Sequence, residues 1–287
     1  MIPAFAKAFT YRIHWHSRAF HSGVHRGVQG GLGHEFRGNL PLIDYPDARR
    51  IDISQTIRDP GGQVHVRIFN QKTPAAIYAV CDLSASMQFR GDAGKMALAA
   101  EIAASIAYSA YQAGDPFGFV GFDRVVREDW STRPSRRMHE AFELIGRLQL
   151  EQAGQAGADG LLDAGRYLGA SRSLVFLISD FHMPTDTLER ALSSLSRHHV
   201  VPLVLWDSAE YRTLPDFGIA TIVDPESGRQ RTLFFRDALC RKFLAAFEMR
   251  REKLKRIFMQ YEAPALFVED RFEAEAVSEY FQQFSAL

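Results

Sequence analysis

Two cysteines in 287 residues, Cys81 and Cys240, are too few for a disulfide framework. Cys81 falls inside an apolar run and Cys240 inside a helical pattern, so both read as buried thiols in a reducing compartment. An excess of either charge is also lacking: Lys plus Arg and Asp plus Glu each number 34. That balance removes the electrostatic reason to expect nucleic acid and favours a protein partner. No segment reaches the ~18 consecutive apolar residues that a membrane-spanning helix needs. The N-terminus MIPAFAKAFTYRIHWHSR has no unbroken apolar stretch of the kind a secretory signal carries. The expectation is a cytoplasmic protein without membrane insertion. Internal repeats and low-complexity tails are missing as well.

What is present is an alternation of short apolar runs with helical patterns. AAIYAVCD, FGFVGFD, SLVFLISD and VVPLVLWD are continuous apolar runs, as expected of strands covered on both faces. Between and after them lie helical stretches such as GKMALAAEIAASIAYSAYQAGD, TDTLERALSSLSRHH and DALCRKFLAAFEMRREKLKRIFMQY. This predicts an α/β fold, a Rossmann-like and mostly parallel sheet with helices on both faces, over residues 74–287. Residues 1–73 form an N-terminal segment and a small β-rich subdomain, in which Val64, Val66 and Ile68 alternate with His65 and Arg67 as a half-buried strand. The glycine-dense GVHRGVQGGLGHEFRG reads as loop. Residues 1–25 show no clean period.

Ligands of such sheets sit outside the carboxyl ends of the strands. Strands here end in Asp82, Asp123, Asp180 and Asp207. Asp82, Ser84 and Ser86, spaced by two in DLSAS, can point three oxygens to one side of an extended loop. Hard oxygens converging on one point suit Mg²⁺, and Asp180 adds a second acid if its strand neighbours that of Asp82. The plainer alternative is that Asp and Ser merely cap the following turn.

DLSASM, followed by Lys95, the alanine-rich helix, GDPFGFVGFD and LVFLISDF, resembles a von Willebrand factor A-type domain with a metal-ion-dependent adhesion site. The preceding GGLGHEFRGNLPLIDYPDARRIDISQTIRDPGGQVHVRIF resembles the leader of the DUF58 family. Members carry such a domain and are typically encoded beside MoxR-type AAA+ ATPases. The resemblance covers roughly residues 23–287. It implies a non-enzymatic adaptor that works with a MoxR-type ATPase and its client, in assembly or metal insertion of another enzyme. It puts Asp82, Ser84 and Ser86 on the first metal-binding loop and Asp180 on the third. The second loop normally supplies a threonine, but AGADGLLDAGRYL has Ala158 there, followed by Asp159. The implied Mg²⁺ then takes one more water or a repositioned Asp159, and a metal-free surface is the alternative. Asp47, Arg50 and Asp52 match the family leader, whereas Pro46 and Ile53 replace its glycine and tryptophan.

Other motifs fall short. RGDAGKM has Phe89 where a phosphate-binding loop needs glycine, and Met96 where it needs a hydroxyl. His14, His16, His21, His25 and His34 come without a Cys pair or an H-E-x-x-H helix, which argues against zinc. His198 and His199 read as the last turn of a helix, where positive charge suits the dipole. Ser84 lacks a G-x-S-x-G elbow, so a hydrolase using Asp82 or Ser84 is the second reading.

Overall fold

A computed structural model describes residues 2–13, 25–31, 35–89, 91, 94–148, 156–211, 217–223 and 229–284. The glycine-dense stretch is not loop: β1 (His25–Gly31) and β2 (Glu35–Pro41) flank β3 (His65–Thr73) in an antiparallel sheet. Glycine weakens a strand but keeps both backbone groups, so it can serve on edges. The cost shows as register shifts, between Arg26 and Gly30 and between Phe36 and Gly38. Of the early histidines, His25 opens β1, while His14, His16, His21 and His34 lie outside the described residues. The charged leader residues turn out to fasten this unit. Asp52 caps α1 (Ile53–Arg58) by accepting from Gln55 N, and its other oxygen takes Arg67 Nε of β3 at 2.8 Å. Asp47 caps the turn Ala48–Arg50 and pairs with Arg50 at 3.2 Å.

Beyond it, β4 (Ile77–Asp82), β5 (Phe117–Phe122), β6 (Val126–Ser135), β7 (Leu174–Ser179), β8 (His199–Trp206) and β11 (Leu266–Glu269) form the central sheet. The remaining strands β9 (Gly218–Val223) and β10 (Gln230–Phe235) make a separate antiparallel pair. The central order is β11-β8-β7-β4-β5-β6, parallel except for β6. In β4, β5 and β7 every residue is buried, because the sheet is covered twice. One cover is α2 (Lys95–Ala113), α3 (His139–Leu148) and α7 (Ala274–Gln283). The other is α4 (Leu161–Ala164), α5 (Thr185–Ser194) and α6 (Asp237–Gln260). The α/β architecture expected from the apolar runs is therefore the one found.

Two local readings change. The helix α5 stops at Ser194, His198 lies in the turn beyond it, and His199 opens β8. Burial, reinforced by Arg197 and Arg172, lowers His198 to about 4, so it carries no charge for the helix dipole at neutral pH. Part of the N-terminal stretch is also ordered against the main core. Phe9 and Tyr11 are buried there, Lys7 N and Phe9 N donate to Ser105 and Ser109 of α2, and Tyr11 Oη donates to Asp115.

Candidate functional site

Because β4 and β7 are adjacent and parallel, their carboxyl ends place Asp82 beside Ser179 and Asp180. Ser179 Oγ donates to Asp82 Oδ2 at 2.6 Å, and Ser84 N donates to Asp82 Oδ1 at 2.9 Å. The chain then turns through Ala85–Gln88, bringing Ser84 Oγ and Ser86 Oγ to 3.2 Å of each other. Asp82, Ser84, Ser86 and Asp180 thus do meet at the rim of the sheet. All four are buried, with exposures between 1% and 4%. Ala158 and Asp159 stand further along the same rim, where Gly160 N donates to Asp123 O at the end of β5. Asp159 is exposed. Asp123 itself binds Arg127, Nη1 to Oδ2, at 3.1 Å.

The residues that complete the cluster were not anticipated. Lys95 opens α2 and is 1% exposed, with Nζ at 2.8 Å from Asp180 Oδ2 and 2.5 Å from Glu210 Oε1. Ser86 O accepts at 3.4 Å from the same ammonium. Glu210 ends the turn Ser208–Glu210 that follows β8, the neighbour of β7. Trp206 Nε1 donates to Asp180 O at 3.0 Å, and His182 Nε2 lies 3.8 Å from Glu210. Phe181 adopts a left-handed φ of 53°, and Arg250 of α6 clamps that bend by donating to Phe181 O and Met183 O.

Charge decides how these groups behave. Burial, then the neighbouring charge of Asp180, pushes the Asp82 carboxyl up to about 7, against the pull of Ser179 and Ser84. Burial would raise Asp180 too, but His182 and Lys95 outweigh it and hold that carboxyl down. For Lys95, burial favours the neutral amine, and Asp180 with Glu210 overcomes it, so the ammonium is the stable form.

The oxygens were expected to hold Mg²⁺, and the residue set does not fit that ion. Both Asp180 oxygens are already engaged, Oδ2 by the Lys95 ammonium at 2.8 Å and Oδ1 by His182 N at 3.1 Å. At the second-loop position Ala158 has no oxygen to offer. Among the described residues no group of three or more His, Cys, Asp or Glu side chains is placed to hold a metal. A nucleophilic serine needs an adjacent base, and Ser84 Oγ lies against the Ser86 hydroxyl at 3.2 Å.

A family model described as a protein of unknown function, DUF58, matches residues 46–253. The chain belongs to the DUF58 family. An "uncharacterized protein in moxR 3'region" of Paracoccus denitrificans is 33% identical over 94 residues, which are 33% of this DUF58 chain and 90% of that protein. Among solved structures, the conserved hypothetical protein BatB of Bacteroides thetaiotaomicron matches at a TM-score of 0.46 and 14% identity, over 74% of this chain and 100% of that one. An aerotolerance-related membrane protein of Bacteroides fragilis NCTC 9343 matches at 0.42 and 13%, over 74% and 100%. At such TM-scores the likenesses say nothing about the site. The cytoplasmic expectation does not stand, because the proteins this chain resembles include one described as a membrane protein and one, from Vibrio fischeri, described as membrane spanning. The physical ground for that expectation was narrow: in the described residues no helix is long and apolar enough to cross a bilayer, and this fixes no compartment.

Proposed function

We propose that this DUF58 protein is a non-enzymatic interaction module with a von Willebrand factor A-type domain. It engages a MoxR-type AAA+ ATPase, or that ATPase's client, at the carboxyl ends of β4, β5, β7 and β8. The observation that carries this reading is a rim held rigid from beneath. Side-chain bonds tie the end of β4 to β7 through Asp82 and Ser179, and the end of β7 to β8 through Asp180 and Trp206. Lys95 adds a third tie, to the turn after β8. Around these buried ties stand exposed groups, among them Val125 at 55%, Asp159 and His182. A fixed surface of mixed apolar and charged groups is what a specific protein contact requires, since little order remains to be imposed on binding. The relative named for the moxR 3' region supports the partner class. With Asp82 bound to Ser179 and Asp180 bound to Lys95, the cluster supports a scaffold role better than a catalytic one.

Co-purification with the MoxR-type ATPase tests the reading. Val125→Asp and Asp159→Arg, both at exposed rim positions, should leave folding intact and reduce recovery of the complex at least several-fold. Unchanged recovery with both variants, or Ser84-dependent ester hydrolysis by the purified chain, would overturn it.

A further inference from the structure

We propose that the Lys95 ammonium is the resident cation of this site, filling the place a divalent ion would otherwise take, and that removing it uncovers a latent Mn²⁺ or Mg²⁺ site. The inference rests on the same rim residues as the adaptor reading but concerns the ion alone.

Three observations lead there. The ammonium is buried and directs its N–H groups at Asp180, Glu210 and Ser86 O, acceptors from the turns after β7, β8 and β4. A cation drawing oxygens from separate loops is how a metal ion organises a site, and here a side chain does it. Lys95 is also the first residue of a 19-residue helix, the end at which the helix dipole disfavours positive charge. A local rule broken at a buried position marks a residue held there by something stronger, in this case two carboxylates. Finally, Glu210 Oε2, on the carboxylate that binds the ammonium through Oε1, is buried without a hydrogen-bond partner. The site therefore holds more hard acceptors than the ammonium satisfies. With the lysine stem gone, Asp180 Oδ2, Glu210 Oε1 and Ser86 O would lose the ammonium and join the unpartnered Glu210 Oε2 as open acceptors. Oxygens of this kind suit Mn²⁺ and Mg²⁺.

Electron paramagnetic resonance of added Mn²⁺, with thermal melting in its presence and absence, tests this without any partner protein. The wild-type chain should leave Mn²⁺ free in solution and show an unmoved midpoint. Lys95→Ala should bind one Mn²⁺ at least ~10-fold more tightly than wild type, the lower end of what a changed metal surround is worth. Its midpoint should rise with the ion, and adding Asp180→Asn should cancel both effects. Lys95→Met, whose side chain refills the space, should not bind. If Lys95→Ala does not fold, Lys95→Ala with Glu210→Gln leaves one acid fewer unpaired and should show the same gain, reduced. The proposal is overturned if wild type binds Mn²⁺ in a way that Asp82→Ala abolishes, or if the folded alanine variants bind it no better than wild type. Either result leaves the rim-variant co-purification experiment to stand or fall by itself.

Discussion

Replacing Asp82 with Asn should stabilise the protein at pH 8, although it removes a carboxylate from the centre of the candidate site. In the folded chain that carboxyl is raised to about 7 by burial and by Asp180. Against an unfolded value of ~3.9 this is about three units, or ~4 kcal/mol at ~1.36 kcal/mol per unit. The sign follows from proton counting. Between pH 4 and 7 the folded chain holds a proton that the unfolded chain has released, so stability falls as pH rises through that window and levels off above it. Asp180 titrates in the opposite sense and below pH 4, outside the window. Asn stays neutral and still accepts from Ser84 N, but it meets Ser179 Oγ with a donor instead of an acceptor, a loss of about 1 kcal/mol. Asp82→Asn should thus be about as stable as wild type near pH 4.5 and more stable by ~3 kcal/mol at pH 8. Urea denaturation of both proteins at the two pH values measures the difference, in which the other titrating groups cancel. A wild type that gains on the variant as pH rises would refute the reasoning, because that is how a carboxylate kept charged by a bound divalent cation behaves.

Lys95→Met should cost ~3–5 kcal/mol in urea denaturation at neutral pH, because it removes the cation that Asp180 and Glu210 share. Glu210→Gln, which keeps the lysine paired with Asp180, should cost less, and equal losses would show that the ammonium is not the shared element. Tyr11→Phe removes the hydroxyl that binds Asp115, whose other oxygen accepts from Ala75 N at 3.1 Å. It should lower stability by about 1–3 kcal/mol and hasten proteolysis within residues 2–13, and an unchanged cleavage rate would mean that Phe9 alone anchors the segment.

The parts of the fold that were legible share one cause. A strand buried on both faces must be apolar throughout, so β4, β5, β7 and β8 announce themselves, and the aspartate after each marks where the chain leaves the core. The strands β1 and β2 stayed hidden because edge strands rich in glycine carry no side-chain alternation to read. Lys95 and Glu210 stayed hidden for a different reason: 85 and 115 residues, respectively, separate Asp180 and Glu210 from Lys95, and only the order β8-β7-β4 makes the ends of those strands neighbours. A signal was nevertheless available in the acids themselves. Strand-end carboxylates need cations or protons, and the chain offers a nearby base for Asp123, namely Arg127 four residues on. Asp82 has no such local base and Asp180 has only His182 two residues on, so the sequence poses a choice between an ion from solution and a distant side chain. Reading the hydroxyls of Ser84 and Ser86 as ligands favours the ion. The lysine at the start of α2, where the helix dipole opposes it, favours the side chain, and the ion pairs with Asp180 and Glu210 show why that placement is stable. Oxygen patterns alone therefore do not identify a metal site; the count must include every cation the topology can deliver to the same point.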